Sequence, residues 1–403
     1  MDHSARIIEV ARTTHPDLEF HVSDAVSFVP REGEKFDYIV LSNLVGDLVD
    51  VQRAFAKVRQ ICSSETRVII TLFSYLWQPA ATIAELLGLK ARLDPQNWLT
   101  PAQIINLFEL AGLDVVTWGR HLLMPVPVPV VSSFANRVLG PLPLINNLCL
   151  NQYFIARRVR RDEREFSVSV IVPCKEERGN VAETVRSIPR MGTGTEVIFV
   201  DGHSVDGTPE EVRRCEHMNP DLDRVTVVTQ DGRGKADAVR KGFAMATGEI
   251  LMILDADNTV RGEELPKFYD SLVRGQGEFI NGSRLVFPME KQAMRHLNLL
   301  ANHFFGLVFS WVLGQRISDT LCGTKVLTRE NWKAIERQRG SFGVDPFGDF
   351  DLLFGAAKAD LKIREIPIRY RAREYGEIKI QRFRNGLELM WMVVRGFRVL
   401  KQM

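Results

Sequence analysis

An α/β protein of two domains is what this sequence predicts, and three observations predict it. The chain has 403 residues, more than one hydrophobic core usually organises. Short apolar runs of strand length alternate with segments of helical spacing through both halves. A charge run, Arg157-Arg158-Val159-Arg160-Arg161-Asp162-Glu163-Arg164-Glu165, interrupts that alternation, so the chain divides into a first domain over 1–156, a charged linker over 157–165 and a second domain over 166–403.

Composition narrows the class. Apolar residues make up 45% and charged residues 25%, as in ordinary globular domains. A net charge of +2 carries no signature of nucleic-acid binding. The five cysteines show no paired spacing, which reads as reduced thiols in a cytosolic protein. The N-terminus lacks a basic start and apolar core, so no secretory signal is expected. The apolar stretch from Leu297 to Leu313 is broken by Asn298, Asn302, His303 and Ser310, and is shorter than the roughly 20 residues a spanning helix requires.

In the first domain, Ala5 to Arg12 has helical spacing, while Leu18 to Val22, Phe36 to Ser42 and Arg67 to Phe73 read as strands. A helix is expected through Val51 to Ile61, and Thr100-Pro101 with Gly112 brackets another. Gln152 to Ala156 closes the domain as a strand. The alternation is that of a doubly wound sheet. Asp2-His3-Ser4, Ser23-Asp24-Ala25 and Phe36 to Leu41 resemble the second half of a class I S-adenosylmethionine-dependent methyltransferase. That resemblance implies a truncated domain with vestigial cofactor positions, Asp2 toward the ribose and Asp24 toward the adenine. The glycine-rich loop that lets backbone approach the cofactor would precede Asp2. S-adenosylmethionine is therefore expected only if an upstream segment exists.

The second domain is richer in chemistry. Ser167 to Pro173 is a buried strand ended by proline, and Glu196 to Val200 a second that runs into Asp201-Gly202-His203-Ser204-Val205-Asp206-Gly207. Thr208-Pro209-Glu210-Glu211 reads as a capped helix start. Val225 to Val228 leads to Gly232-Arg233-Gly234-Lys235 and a helix bearing Ala236, Val239 and Phe243. The fourth strand, Glu249 to Leu254, ends in Asp255-Ala256-Asp257. Repeated strand-loop-helix units place their loops on one sheet edge, where open α/β sheets bind ligands. With period-two alternation Asp255 and Asp257 project the same way and could share a cation. Asp201 can accept from ribose or base, Gly232 and Gly234 permit close approach of backbone, and Lys235 or Arg233 can meet phosphate.

This succession resembles glycosyltransferase family 2, with its A-type nucleotide-sugar fold, from Ser167 to about Lys379. Asn281-Gly282-Ser283-Arg284, Asp319 to Lys325, Ile366 to Tyr370 and Arg373 to Lys379 are most similar to the polyprenyl-phosphate sugar transferases in that family. The resemblance implies an inverting transferase needing magnesium or manganese. Pro173, Glu177, Asp201, Gly234, Lys235 and Asp255 would hold the nucleotide sugar, and Asp257 the metal. Arg284, Arg295, Arg373 and Lys379 would meet the acceptor phosphate.

An anionic acceptor needs no general base; a hydroxyl acceptor does, and Asp349 or Asp351 would supply it. The catalytic set is thus Asp349, Asp351 and Arg284. The acceptor is expected to be a lipid phosphate, with a saccharide or small hydroxyl compound as the alternative. A non-catalytic sugar-nucleotide-binding scaffold is the reading of another class. Phe304, Phe305, Phe309 and Trp311, with Trp391, Arg395, Arg398 and Lys401, give the late helices an interfacial character, so peripheral contact with the cytoplasmic face of a membrane is expected.

Overall fold

The computed structural model describes residues 1–31, 33–89, 97–159, 164–286, 296–338, 345, 348–371, 373, 375 and 382–402, with backbone only at 296–301 and 382–385. Two compact units meet in the chain between Val159 and Arg160.

The first unit begins with α1 (Ala5–Thr14), capped by the Ser4 hydroxyl, and β1 (Tyr38–Ser42). Then follow α2 (Val51–Ile61), β2 (Arg67–Phe73), α3 (Gln78–Leu86), α4 (Pro101–Leu110), β3 (Leu113–His121), α5 (Val131–Phe134) and β4 (Asn151–Arg158). Thr100 and Gln103 form a reciprocal capping box on α4, and Gly112 takes the left-handed φ of +73° that ends it. Phe55 and Phe108, stacked at 4.3 Å, join Val68, Ile70 and Phe154 in a buried core.

Among the described residues the sheet runs β1-β2-β4-β3. β1, β2 and β3 run in one direction, and β4 is reversed between β2 and β3. Leu18 to Val22 forms no strand, only a single bridge from Val22 to Asp2. A strand needs a partner along its length, and this one has two residues' worth. The linker boundary also moves. Arg157 and Arg158 complete β4, with Arg157 only 2% exposed and 3.2 Å from Asp114 directly across on β3. Residues 160–163 lie outside the described residues.

The second unit runs β5 (Ser167–Cys174), α6 (Val181–Ser187), β6 (Gly194–Asp201), α7 (Thr208–Arg214), β7 (Arg224–Thr229), α8 (Lys235–Met245), β8 (Ile250–Ile253) and α9 (Leu265–Val273). It continues with β9 (Phe279–Ser283), α10 (His296–Leu313), β10 (Lys325–Thr328), α11 (Arg329–Glu336), α12 (Phe350–Lys358), β11 (Ile363–Pro367) and α13 (Arg382–Leu400). The sheet order is β11-β9-β10-β8-β5-β6-β7, with β5 to β8 parallel and β10 reversed. Both faces are covered, which is why these strands read as continuous apolar runs. Val170, Val172, Phe199 and Met252 pack with residues of α6 and α9, while Ile171, Ile198, Val200 and Leu251 pack with residues of α8, α10, α12 and α13. Gly242 lets α8 approach closely, since a Cβ there would stand 2.5 Å from Ile171 Cγ2.

Glu196 ties the amino-terminal edge of this sheet. It accepts from Ser169 on β5 at 2.6 Å, from the Thr247 N–H and hydroxyl at 2.6 and 2.8 Å, and from Arg224 on β7 at 2.6 Å. Burial works to raise its pKa, and these four donors together hold it below the ordinary glutamate value. The stabilisation it contributes is therefore complete above that ordinary value and is lost as pH falls through the lower folded value. Glu196→Ala should lower unfolding free energy by about 2–3 kcal/mol in urea at neutral pH. The gap from the parent protein should narrow as the medium is acidified, and a gap independent of pH would contradict the assignment.

Candidate active site

The carboxyl ends of β5, β6, β7 and β8 open onto one cavity of about 740 Å³. Pro173, Cys174 and Lys175 line it from the end of β5, and Gly202 and His203 from the turn after β6. Gln230 follows β7, Arg233, Gly234, Lys235 and Ala238 come from the start of α8, and Asp255 follows β8. Three cations, Lys175, Arg233 and Lys235, face a single carboxylate in this wall, so the cavity suits an anionic ligand. Gly234, at φ +85°, delivers the chain into the amino end of α8, where backbone N–H groups and helix dipole add to that preference.

Of the residues marked from sequence, Pro173, Gly234, Lys235 and Asp255 line the cavity, whereas Glu177 and Asp201 lie buried outside its lining. Asp201 accepts the Ser204 N–H and shapes the turn that presents His203 at φ +61°. Glu177 accepts from Asn180 at 2.6 Å and from Arg373, while its own N–H reaches the Thr208 hydroxyl. Thr208 consequently does not cap α7 as its sequence suggests. Its hydroxyl is committed to Asp206 at 2.5 Å, and Gly207 at φ +86° occupies the capping position.

Asp255 and Asp257 follow the end of β8 at Ile253 and engage different partners within the chain. Lys235 Nζ holds Asp255 Oδ1 at 2.6 Å and stands 4.0 Å from Asp349. Burial would lower the Lys235 pKa, but Asp255 and then Asp349 raise it well above the usual lysine value. For Asp255 burial acts upward and Lys235 outweighs it, keeping the carboxylate ionised. Asp257 uses Oδ1 to accept the Thr259 N–H and hydroxyl, at 3.1 and 2.7 Å, and Oδ2 lies 3.8 Å from Arg373.

Among the described residues, no cluster of three or more acids, histidines or cysteines could bind a metal unaided. Asp257 nevertheless fits a divalent cation whose remaining ligands are phosphate oxygens and water. Such sites take one or two carboxylates, and Asp257 Oδ2 is engaged only at ion-pair range.

Arg284 forms a two-pronged pair with Asp319, at 2.7 and 2.8 Å, and its guanidinium stands 5.3 Å over the Tyr370 ring. Burial disfavours the Arg284 charge, and Asp319 more than compensates, raising its pKa. Asp349 pairs with the fully buried Lys325 at 2.7 Å. Asp351 lies elsewhere, lining a separate 40 Å³ cavity 3.8 Å from Arg240. Arg295 and Lys379 lie outside the described residues. In the first unit, Asp2 and Asp24 accept N–H groups of their own turns, from Ser4 at 2.8 Å and Val26 at 2.7 Å.

Residues 169–331 match the family model described as glycosyl transferase family 2. This stretch belongs to that family. Low-salt glycan biosynthesis hexosyltransferase Agl6 of Haloferax volcanii is 29% identical over 57% of this chain and 52% of its own length. Dolichyl-phosphate hexose transferase of the same organism is 28% identical over 57% of this chain and 92% of its own. Dolichol-phosphate mannosyltransferase of Saccharomyces cerevisiae is 39% identical over 26% of this chain and 40% of its own. The chain thus spans about half of the first, most of the second and less than half of the third.

Within the family 2 unit, sequence reading passed over Lys175 and Gln230 and treated His203 as a loop residue. Each stands one or two residues beyond a strand end, which is the signal that could have marked them. Gly323 is equally unannounced. A Cβ there would overlap the Asp255 carboxylate and approach Lys235 Nζ to 2.6 Å. Gly323→Ala should fold, with a far-ultraviolet circular dichroism spectrum like that of the parent, yet bind UDP or GDP at least about tenfold more weakly by calorimetry. Equal affinity for both nucleotides would refute the role given to this pair.

Proposed function

We propose that the chain is a metal-dependent inverting glycosyltransferase that moves a sugar from a nucleoside diphosphate sugar to a polyprenyl phosphate at the cytoplasmic face of a membrane. The observation that carries this is the cation-rich cavity at the carboxyl edge of four parallel strands, with Asp255 in its wall and Asp257 two residues beyond. The relatives named as dolichyl-phosphate hexose and dolichol-phosphate mannosyl transferases support the substrate class.

Lys235, Arg233 and Lys175 supply the positive charge that a diphosphate requires. Gly202 and Gly234 keep the walls free of side chains where the nucleoside enters. A divalent cation beside Asp257, when bound, would act as a Lewis acid that neutralises the departing diphosphate. The acceptor oxygen attacks the anomeric carbon from the face opposite the leaving group, so configuration inverts. Arg284, held rigid by Asp319 and Tyr370, is placed as a fixed cation for the acceptor phosphate.

The carboxylates favour an acceptor that is already an anion. Asp349 is engaged by Lys325, and Asp351 lines a different cavity, so neither is disposed to take a proton from a hydroxyl. The late helices favour a lipid. Leu387, Met390, Trp391 and Val394 recur at helical spacing on α13, all exposed, with the Arg395 guanidinium 5.3 Å from the Trp391 ring. On α10, Phe304 and Leu307 are also exposed, while Phe309 turns inward onto Phe350 and Phe354. Among the described residues no helix is long and apolar enough to cross a membrane.

Asp257→Asn should abolish transfer, by roughly a hundredfold or more, while leaving the melting temperature within a few degrees of the parent value. The assay supplies radiolabelled nucleotide sugar, manganese and polyprenyl phosphate, and counts label extracted into organic solvent. Label that stays in the aqueous phase on a saccharide would point to a hydroxyl acceptor. Unchanged turnover by the variant would remove the metal role.

A further inference from the structure

The first unit carries a surface whose chemistry is the reverse of a water-facing loop. Two segments meet at one end of its sheet, where Phe73 of β2 and His121 of β3 both pair with Asn151 of β4. One runs from Ser74 to Leu89 and contains a single formal charge, Glu85. The other runs from His121 to Leu150 and contains one, Arg137. They are stitched together, since Trp77 Nε1 donates to Leu148 O at 3.1 Å and the Ser74 N–H to Leu150 O at 2.8 Å.

Two asparagines of these segments turn onto backbone. Asn136 bonds both the N–H and the carbonyl of Met124, and Asn146 donates to the carbonyls of Arg120 and Gly140. The apolar side chains point outward. Leu86 is 74% exposed, Leu89 79%, Val126 61%, Val130 82%, Phe134 54% and Leu144 84%. Leu122, Val130 and Leu144 hold positive φ values of 67°, 66° and 71°, a costly conformation for branched or bulky residues and one that marks functional sites.

We infer that this apron is a membrane-docking surface that inserts its apolar side chains into the interface of a lipid bilayer. Three features select lipid over a protein partner. The exposed large side chains are mostly aliphatic, with Trp77 and Phe134 the exposed aromatic residues, where protein interfaces are dominated by aromatic and arginine anchors. Pro125, Pro127, Pro129, Pro141 and Pro143 have no N–H to leave unsatisfied in hydrocarbon, which lowers the cost of burying irregular backbone. Glu85 and Arg137 are the formal charges of the two segments and offset one another, so little charge has to be desolvated when this surface enters an interface. The inference stands on the first unit alone and is independent of the sugar-transfer reading.

Flotation of the full chain with vesicles of phosphatidylcholine and phosphatidylglycerol tests it. Leu89→Glu with Phe134→Glu should reduce vesicle partitioning by about tenfold or more, without changing the melting temperature. Leu86→Glu with Val126→Glu repeats the measurement on other side chains. The Asp257→Asn protein should float like the parent, which separates failure of this inference from failure of the proposed activity. Partitioning unchanged in both double variants would overturn the inference. So would a parent chain that ignores vesicles and instead forms apron-dependent dimers in sedimentation velocity.

Discussion

Buried and half-buried pairs of opposite charge set the geometry on which the second unit depends. Lys235 with Asp255, Lys325 with Asp349 and Arg284 with Asp319 each join different loops at the carboxyl edge of the sheet, and Arg373 reaches Glu177 and Asp257 from beyond β11. Such pairs are expensive to desolvate and give little net stability against a hydrophobic replacement. What they give is direction, because a two-pronged arginine or a lysine between two carboxylates permits few arrangements. The apolar sheet beneath supplies the stability, and the pairs fix where its loops point.

That division explains what the sequence made legible. β5, β6 and β8 could be read from apolar runs, and the end of each run pointed to the cavity edge: Pro173, Asp201 and Asp255 all sit where a strand gives out. Orientation was harder. The rule of alternating faces holds only inside a strand, and β8 stops two residues before Asp255. Glu177 and Asp201 lie outside the cavity lining, where their carboxylates accept from Asn180, Arg373 and Ser204. Thr208 has every local mark of a cap and loses its hydroxyl to Asp206. In each case a tertiary partner overrode a local preference, and no periodicity reports that partner.

The first unit shows the complementary difficulty. Its helix ends at Thr100 and Gly112 were plain because capping is local chemistry. The direction of its strands was not, since parallel and antiparallel pairing share the same residue types. Arg157 looks like solvent-exposed linker until Asp114 appears opposite it across the ladder. The parallel strand β1 is hydrogen-bonded only to β2 among the described residues, and Tyr38 and Val40 remain 59% exposed along it. An uncovered strand edge of this sort invites pairing with another chain.

Lys235 finds a counter-ion in its own protein before any ligand arrives. On the proposed function, an entering diphosphate would compete with that resident carboxylate for the ammonium instead of meeting a bare charge, and a departing one would hand it back. Turnover would then be an anion swap in which this half-buried lysine keeps a counter-ion throughout.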